Sequence, residues 1–467
     1  MRQFSLREQA PSILVATLSS AFGVTLLQVV AALGLTISND SVTGSSTRTV
    51  PLLLNILAFV FIAISVYVGA VVTANTFSTI IAGRTRTIAL LRLIGSSARA
   101  QRRSVAREGL IVGLIGAVLG ALVGTAVTWG LLAVAQSTGV IPRLSYFYLE
   151  PQLALPVVGV VLTTWLASWI GSRRVLVVTP MQAIGAAQEL SREETTGRRG
   201  RNAAAITLFV LGVGLLIVGV VVGLVTPFGV LIGVVGGLIS FTGLVLGAHL
   251  VMPPALRLVG RVFGGGASAR LAAENAVRYP ERSSRTTIGL VIGVTLVTMF
   301  AFAVGGFEQL MHAAQASQPE TYQGVQTELN IVVTVFSILT GFSALIAAVG
   351  MVNNLSMSVL QRTRELGLLR ALGFTASQVR GMILAESAQL TTAAILVGFV
   401  LGAFYGWAGA QSLLGSINGT PGLVVPDFPW VVIGVIVAAA VILTLVATVA
   451  PSRRATRVSP VVALAVE

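Results

Sequence analysis

Two charged stretches interrupt the long apolar runs of this chain, and they are nearly the same stretch. Residues Gln361–Glu386 read QRTRELGLLRALGFTASQVRGMILAE, and Gly83–Glu108 read GRTRTIALLRLIGSSARAQRRSVARE. A constant offset of 278 residues superposes Arg84 on Arg362, Arg86 on Arg364, Leu90-Leu91-Arg92 on Leu368-Leu369-Arg370, Gly95 on Gly373, Arg102 on Arg380 and Glu108 on Glu386. So many identities in one gapless register mark an internal duplication. The residue types are those of a docking surface. Leu366, Leu369 and Leu372 recur on one helical face, preceded by Arg362, Arg364 and Glu365, and Gly373 allows a turn. A second short helix, about 377–384, is expected to follow and to lead into the next apolar run. A helical hairpin of this kind at a membrane surface can receive a push from a partner. The plainer reading is that the arginines only anchor topology. The duplicated Leu-Leu-Arg and Gly spacing favours docking.

The elements that must carry these stretches are membrane helices. The chain has 467 residues, 55% of them hydrophobic and only 10% charged, against about 25% charged in soluble domains. Mean hydropathy is +0.91. Apolar runs long enough to cross a bilayer recur along the whole length, so the fold class is an all-α polytopic membrane protein. All 30 basic residues are Arg. Only Arg48 and Arg143 fall on one side of the expected topology, which makes the other side cytoplasmic. The formal charge of +14 therefore reflects topology rather than nucleic-acid binding. There is no Cys, which excludes disulfides and thiol catalysis.

About ten spans are expected, near 12–37, 51–82, 109–135, 152–172, 203–225, 228–252, 286–305, 330–359, 387–414 and 430–450. The first run is too long for a signal-peptide core. Spans one to four (residues 1–185) and seven to ten (255–467) form two repeats. A cytoplasmic linker, 186–202, and two central helices, 203–254, lie between them. The amphipathic piece ARLAAENAVRYPERSSRT is expected along the inner interface before span seven. The tail repeats too: Arg173-Arg174 and Thr179-Pro180 match Arg453-Arg454 and Ser459-Pro460 at an offset of 280. In the first span the match is weaker, FGVTLLQ against IGVTLVT. Six spans separate equivalent helices, so both copies share one orientation, with both termini cytoplasmic.

No catalytic or metal-binding residues are expected. A P-loop needs a Lys and the chain has none. No HExxH, GxSxG or His cluster occurs, and His249 and His312 are isolated. Ion-coupled carriage is disfavoured because the apolar cores nearly lack Asp and Glu. Glu108 and Glu386 are expected at the start of spans three and nine, either favouring the helix dipole or touching a partner. Gly116, Gly120 and Gly124, and Gly398, Gly402 and Gly406, are spaced four apart, which points to close helix packing. Trp165, Trp169, Trp407 and Trp430 read as interface anchors.

The stretch from Ser337 to about Leu414, centred on RTRELGLLRALGFTASQVRGMILAE, resembles the FtsX-like (MacB/LolE/BceB-type) permeases of ABC transporters. The resemblance extends through span ten and, more faintly, over Gly83–Leu132. It implies a type VII fold whose coupling helices dock a separate ATPase. The implied docking residues are Arg84, Arg86, Leu90, Leu91, Arg92, Gly95 and Glu108 in the first copy. In the second they are Arg362, Arg364, Glu365, Leu368, Leu369, Arg370, Gly373 and Glu386. No cofactor is expected on this chain; ATP and Mg belong to the partner. The implied partners are two copies of a cytoplasmic ABC ATPase, membrane lipids and, optionally, an extracytoplasmic accessory protein, with no nucleic acid. The implied work is export or extraction of a hydrophobic or amphipathic substrate (lipid, lipoprotein, peptide or drug) across a bacterial plasma membrane. The alternative is transmission of motion to a cell-wall enzyme or sensor kinase. Unlike many members, this chain has only short loops, 38–49 and 306–329, where large extracytoplasmic domains often stand.

Overall fold

A computed structural model describes residues 6–39, 49–83, 85–137, 151–173, 199–263, 274, 280–317, 341, 345, 348, 368–416, 422–426 and 428–457. The regular elements among them are all helical. In chain order they are α1 (Leu6–Asn39), α2 (Thr49–Gly83), α3 (Thr85–Leu93), α4 (Ala98–Ser137), α5 (Ala154–Gly171), α6 (Arg199–Gly223), α7 (Gly229–Leu246), α8 (Ala248–Phe263), α9 (Pro280–Ser317), α10 (Ala376–Leu414) and α11 (Trp430–Arg457). Among the described residues, eight helices are long and apolar enough to cross a membrane, and α11 adds the shorter apolar stretch Trp430–Val446. The chain is a multi-pass all-α membrane protein. The expected span at 330–359 apart from residues 341, 345 and 348, the linker around 186–198 and most of the amphipathic piece lie outside the described residues.

The contacts divide the chain into two compact units. One comprises Met1–Ala186, Thr226–Val234 and Gly324–Ile346; the other comprises Ala187–Val225, Val235–Gln323 and Ala347–Glu467. In the first, α4 packs along α1 and α5, and α2 packs on α1 and α5. Side-chain hydrogen bonds tie α1 to α4. Ser20 Oγ donates to the Ala117 carbonyl at 2.9 Å, Thr25 Oγ1 to the Gly124 carbonyl at 3.1 Å, and Gln28 Nε2 to Thr125 Oγ1 at 3.2 Å. In the second, α10 is central and packs on α9, α11, α8 and α6. Thr391 and Thr444 share a hydroxyl hydrogen bond of 2.8 Å between α10 and α11. Ser240 and Tyr405 share one of 2.8 Å between α7 and α10.

The spaced glycines are where helices touch. A Cβ on Gly124 would lie 2.7 Å from the Ala21 carbonyl oxygen, and one on Gly402 would lie 2.7 Å from that of Thr295. Gly116 and Gly120 face Ala16, Thr17 and Ser20; Gly398 and Gly406 face Val291, Val294 and Met299. Lipid gives helices no hydrophobic reason to associate, so close backbone approach and dispersion supply the attraction.

These contacts also correct the register of the first span. Gly120 meets Thr17 and Ser20 where its counterpart Gly398 meets Val291 and Val294, and Gly124 meets Ala21 and Val24 where Gly402 meets Thr295 and Thr298. Each pair differs by 274 residues, not the 270 that aligns FGVTLLQ with IGVTLVT. The difference is about one helical turn. Such a shift keeps the same face inward, so the apolar pattern alone does not distinguish the two.

Helix ends differ from the expected spans as well. Helix α9 begins at Pro280, before the apolar run, with proline at a position where its missing N–H costs nothing. It continues to Ser317, so the first part of the expected acidic loop, with Glu308, is helical.

Replacing Gly398 or Gly402 by Val should destabilise the α9–α10 pair by roughly 1–3 kcal/mol through overpacking. Gly409→Ala, where no neighbour lies within 4 Å of the new methyl, should be neutral or stabilising. Thermal unfolding of the detergent-solubilised chain checks both.

Candidate docking site

Where both charged stretches are described, they fold into the same local structure. In the first, α3 stops in a turn at Ile94-Gly95. The Ser96 amide donates to the Leu91 carbonyl at 2.9 Å, and the Ile94 amide to that of Leu90 at 3.2 Å. In the second, residues 368–371 are helical. The Phe374 amide donates to the Leu369 carbonyl at 3.1 Å, and the Leu372 amide to that of Leu368 at 3.0 Å. Gly95 has φ +99° and Gly373 has φ +100°. A six-to-one hydrogen bond closed over a left-handed glycine is the Schellman stop. Leu369 and Phe374, on either side of that stop, pack together on Val379, Met382 and Ile383.

The next helix is capped in both copies. Ser97 Oγ accepts from the Ala100 amide at 3.2 Å. Thr375 Oγ1 accepts from the Gln378 amide at 3.2 Å, and Gln378 Oε1 accepts from the Thr375 amide at 2.9 Å. This is a reciprocal capping box. Beyond the cap the expected second short helix does not exist as a separate element. Helices α4 and α10 run unbroken for 40 and 39 residues, from the turn through the apolar span. At 1.5 Å per residue each is a rod about 60 Å long. No Gly-Pro signal or cap separates the charged part from the apolar part, so the hydrogen-bond ladder continues.

That continuity revises the two glutamates. Glu108 and Glu386 lie about three turns inside α4 and α10, away from the helix N-termini, so the dipole explanation does not apply. Both are buried, each only 8% exposed. Glu108 Oε2 accepts from the buried Gln9 Nε2 of α1 at 3.1 Å. The 274-residue register places Ser283 of α9, also buried, at the position of Gln9. Glu108 thus faces α1, and Glu386 is buried at the equivalent place in α10.

The remaining predicted residues divide clearly. Leu90 and Leu368 are about half exposed, while Leu91 and Leu369 are partly covered. Arg86 and Arg92 lie on α3, and Arg370 lies in the helical residues 368–371. Arg84, Arg362, Arg364 and Glu365 lie outside the described residues. Leu372 belongs to the expected leucine face and Ile94 coincides with it at the 278-residue offset, although neither is among the implied docking residues. They occupy the two turns and are 81% and 71% exposed. A large aliphatic side chain held in water at both tips is the signal that could have identified them. His249 has a structural role: its Nε2 is 2.8 Å from Asn202 Oδ1, joining α8 to α6. Among the described residues, no cluster of His, Asp or Glu could hold a metal ion.

Comparison with known proteins agrees with this duplicated geometry. A family model described as FtsX-like permease C-terminal matches residues 59–180 and, again, residues 337–460. The chain belongs to the FtsX-like permease family. The two matches begin 278 residues apart and end 280 apart, the offsets of the internal repeat. The chain is similar to the uncharacterized ABC transporter permease YknZ of Bacillus subtilis, 30% identical over 148 residues, which are 32% of this chain and 35% of the relative. It is 31% identical over 129 residues to the ABC transporter permease YtrF of the same organism, covering 26% of this chain and 30% of YtrF. It also matches the macrolide export ATP-binding/permease protein MacB of Nitrobacter winogradskyi, 31% identical over 129 residues, 28% of this chain and 19% of MacB. The chain thus spans about a third or less of each of these relatives.

Replacing Gly95 or Gly373 by Ala should cost about 1–2 kcal/mol, because an L-residue resists the left-handed conformation. Thr375→Ala should cost about 1 kcal/mol through the lost cap. Both losses should appear as faster amide exchange in the turn and the first turn of the following helix. Gly381→Ala, inside α10 with open space around it, should slow exchange instead.

Proposed function

We propose that the chain is the non-catalytic membrane subunit of an ABC transporter and that two cytoplasmic ATPase subunits dock on its duplicated turns. The observation that carries this reading is the paired presentation of Leu90 with Ile94 and of Leu368 with Leu372 on left-handed glycine turns. Exposed aliphatic tips flanked by arginines suit a cleft with an apolar floor and an acidic rim. The bound ATPases hydrolyse Mg-ATP, and their closure moves both turns. Each turn is continuous with one long helix, so its displacement reaches the far side of the membrane without an intervening joint. One duplicated chain presents two docking turns, so one permease serves one ATPase pair.

Export or extraction of a hydrophobic or amphipathic substrate fits this design. The spans carry almost no charge, and much of the apolar surface of α4 and α5 is exposed, including Leu114, Val118, Leu122, Leu155 and Leu162. A cargo that partitions into lipid reaches such a surface laterally. In this reading both termini and both turns are cytoplasmic, in a bacterial plasma membrane.

The test is co-purification with the cognate ATPase. Charge reversal of Arg86, Arg92, Arg364 and Arg370 to Glu should remove the ATPase from a permease that still elutes as a single species. The pair Ile94→Asp and Leu372→Asp should do the same, weakening association at least about tenfold if each tip fills a desolvated pocket. Retention of the ATPase by both variants would rule out docking at these turns.

A further inference from the structure

One feature of the first unit is largely missing from the equivalent positions of the second copy. Four arginines, Arg99, Arg102, Arg103 and Arg107, occupy the first turns of α4 and face Trp165 and Trp169 of α5 across an open groove of about 510 Å³. Arg102 forms its floor. Its guanidinium carbon lies 3.9 Å above the Trp169 ring, and its Nη2 donates to the Trp169 carbonyl at a long 3.4 Å. Its Nε is buried with no hydrogen-bond partner. Arg173 approaches the same ring at 5.9 Å, so one indole serves two cations. Arg99, Arg103 and Arg107 are exposed. The only carboxylate on α4 is Glu108, turned to Gln9, and α5 has none. The described lining of the groove thus holds four cations and no carboxylate.

The offsets that superpose the repeats put Ser377, Gly381 and Ala385 at the places of Arg99, Arg103 and Arg107. They put Leu445 and Val449 at the places of Trp165 and Trp169. A partner that docks twice would need the site twice. Only Arg102 has a counterpart, Arg380, so the second copy lacks the rest of this lining and the groove serves something else.

What it serves follows from the stripes that leave it. Along α4, Arg103, Arg107, Leu110 and Leu114 share one face, and along α5, Trp169, Trp165 and Leu162 share one face. Leu110, Leu114 and Leu162 are exposed. Each stripe passes from cation or indole to bare aliphatic surface within two or three turns, as a membrane interface does. We propose that the groove holds an anionic phospholipid. Its phosphate diester would be bound by Arg99, Arg103 and Arg107, and its acyl chains would lie along Leu110, Leu114 and Leu162. Guanidinium–phosphate hydrogen bonds are charge-assisted and strong where water is scarce. The aliphatic continuation favours a lipid over a soluble anion or an acidic protein segment.

The full-length chain tests this by native mass spectrometry with added phosphatidylglycerol or phosphatidylcholine. Wild type should retain phosphatidylglycerol in preference to phosphatidylcholine. The variant Arg99→Gln/Arg103→Gln/Arg107→Gln should bind phosphatidylglycerol about tenfold more weakly or worse. Arg199→Gln, an exposed arginine elsewhere, should behave as wild type. The unmodified chain gives an independent readout: phosphatidylglycerol with brominated acyl chains should quench its tryptophan fluorescence more than the phosphatidylcholine equivalent. Equal retention by wild type and the triple variant, equal quenching by both lipids, or displacement by excess inorganic phosphate would overturn the proposal.

Discussion

The structure depends on an unbroken hydrogen-bond ladder in α4 and α10. Each helix begins at a water-exposed cap and ends on the far side of an apolar span. A helix resists axial compression because every turn is braced by backbone hydrogen bonds, and a break would turn the rod into two pieces joined by a hinge. The cap fixes where the rod begins, since Ser97 and Thr375 satisfy amides that the ladder leaves open. The glycine turn fixes where the rod is gripped. Without a left-handed residue at position 95 or 373, the preceding helical turns would run on and the exposed aliphatic tip would be lost.

What holds the rod in place is close packing of small residues. In lipid, burying leucine against leucine gains little, so the helices meet where glycine lets backbones approach. Gly116, Gly120 and Gly124 fit α4 to α1, and Gly398, Gly402 and Gly406 fit α10 to α9. Buried polar groups add direction. Gln9 holds Glu108 in one unit, and Thr391 meets Thr444 in the other. A rod packed in this way can transmit a push and keep its register, and the duplication gives the chain two of them.

Much of this was legible in the sequence, for identifiable reasons. Apolar run length marks membrane spans, and glycine at a fixed place in both copies marks a turn. The four-residue glycine spacing marks a packing face. What was not legible has physical causes too. Charge marks the edge of the membrane, not the end of a helix, so Glu108 and Glu386 looked like helix starts when they lie three turns inside. A first-span register wrong by one turn preserves the apolar face, so only contacts with Gly120 and Gly398 could set it. Ile94 is an ordinary aliphatic residue, and Leu372 one of a leucine face, until their exposure on the turns is seen. The groove of α4 and α5 was hidden for another reason: its arginines are scattered through a stretch that reads as part of the repeat.

The central claim is that ATP-driven closure of a docked motor pair moves both turns. The chain has no cysteine, so Leu93→Cys and Ala371→Cys, equivalent exposed positions beside the turns, can each carry a spin label without background. The measurement is the distance between the two labels by pulsed electron–electron resonance, in the complex with its ATPase, nucleotide-free and with ATP trapped. The account predicts a shorter distance in the ATP-trapped state. An unchanged distance in a complex that binds and hydrolyses ATP would contradict it.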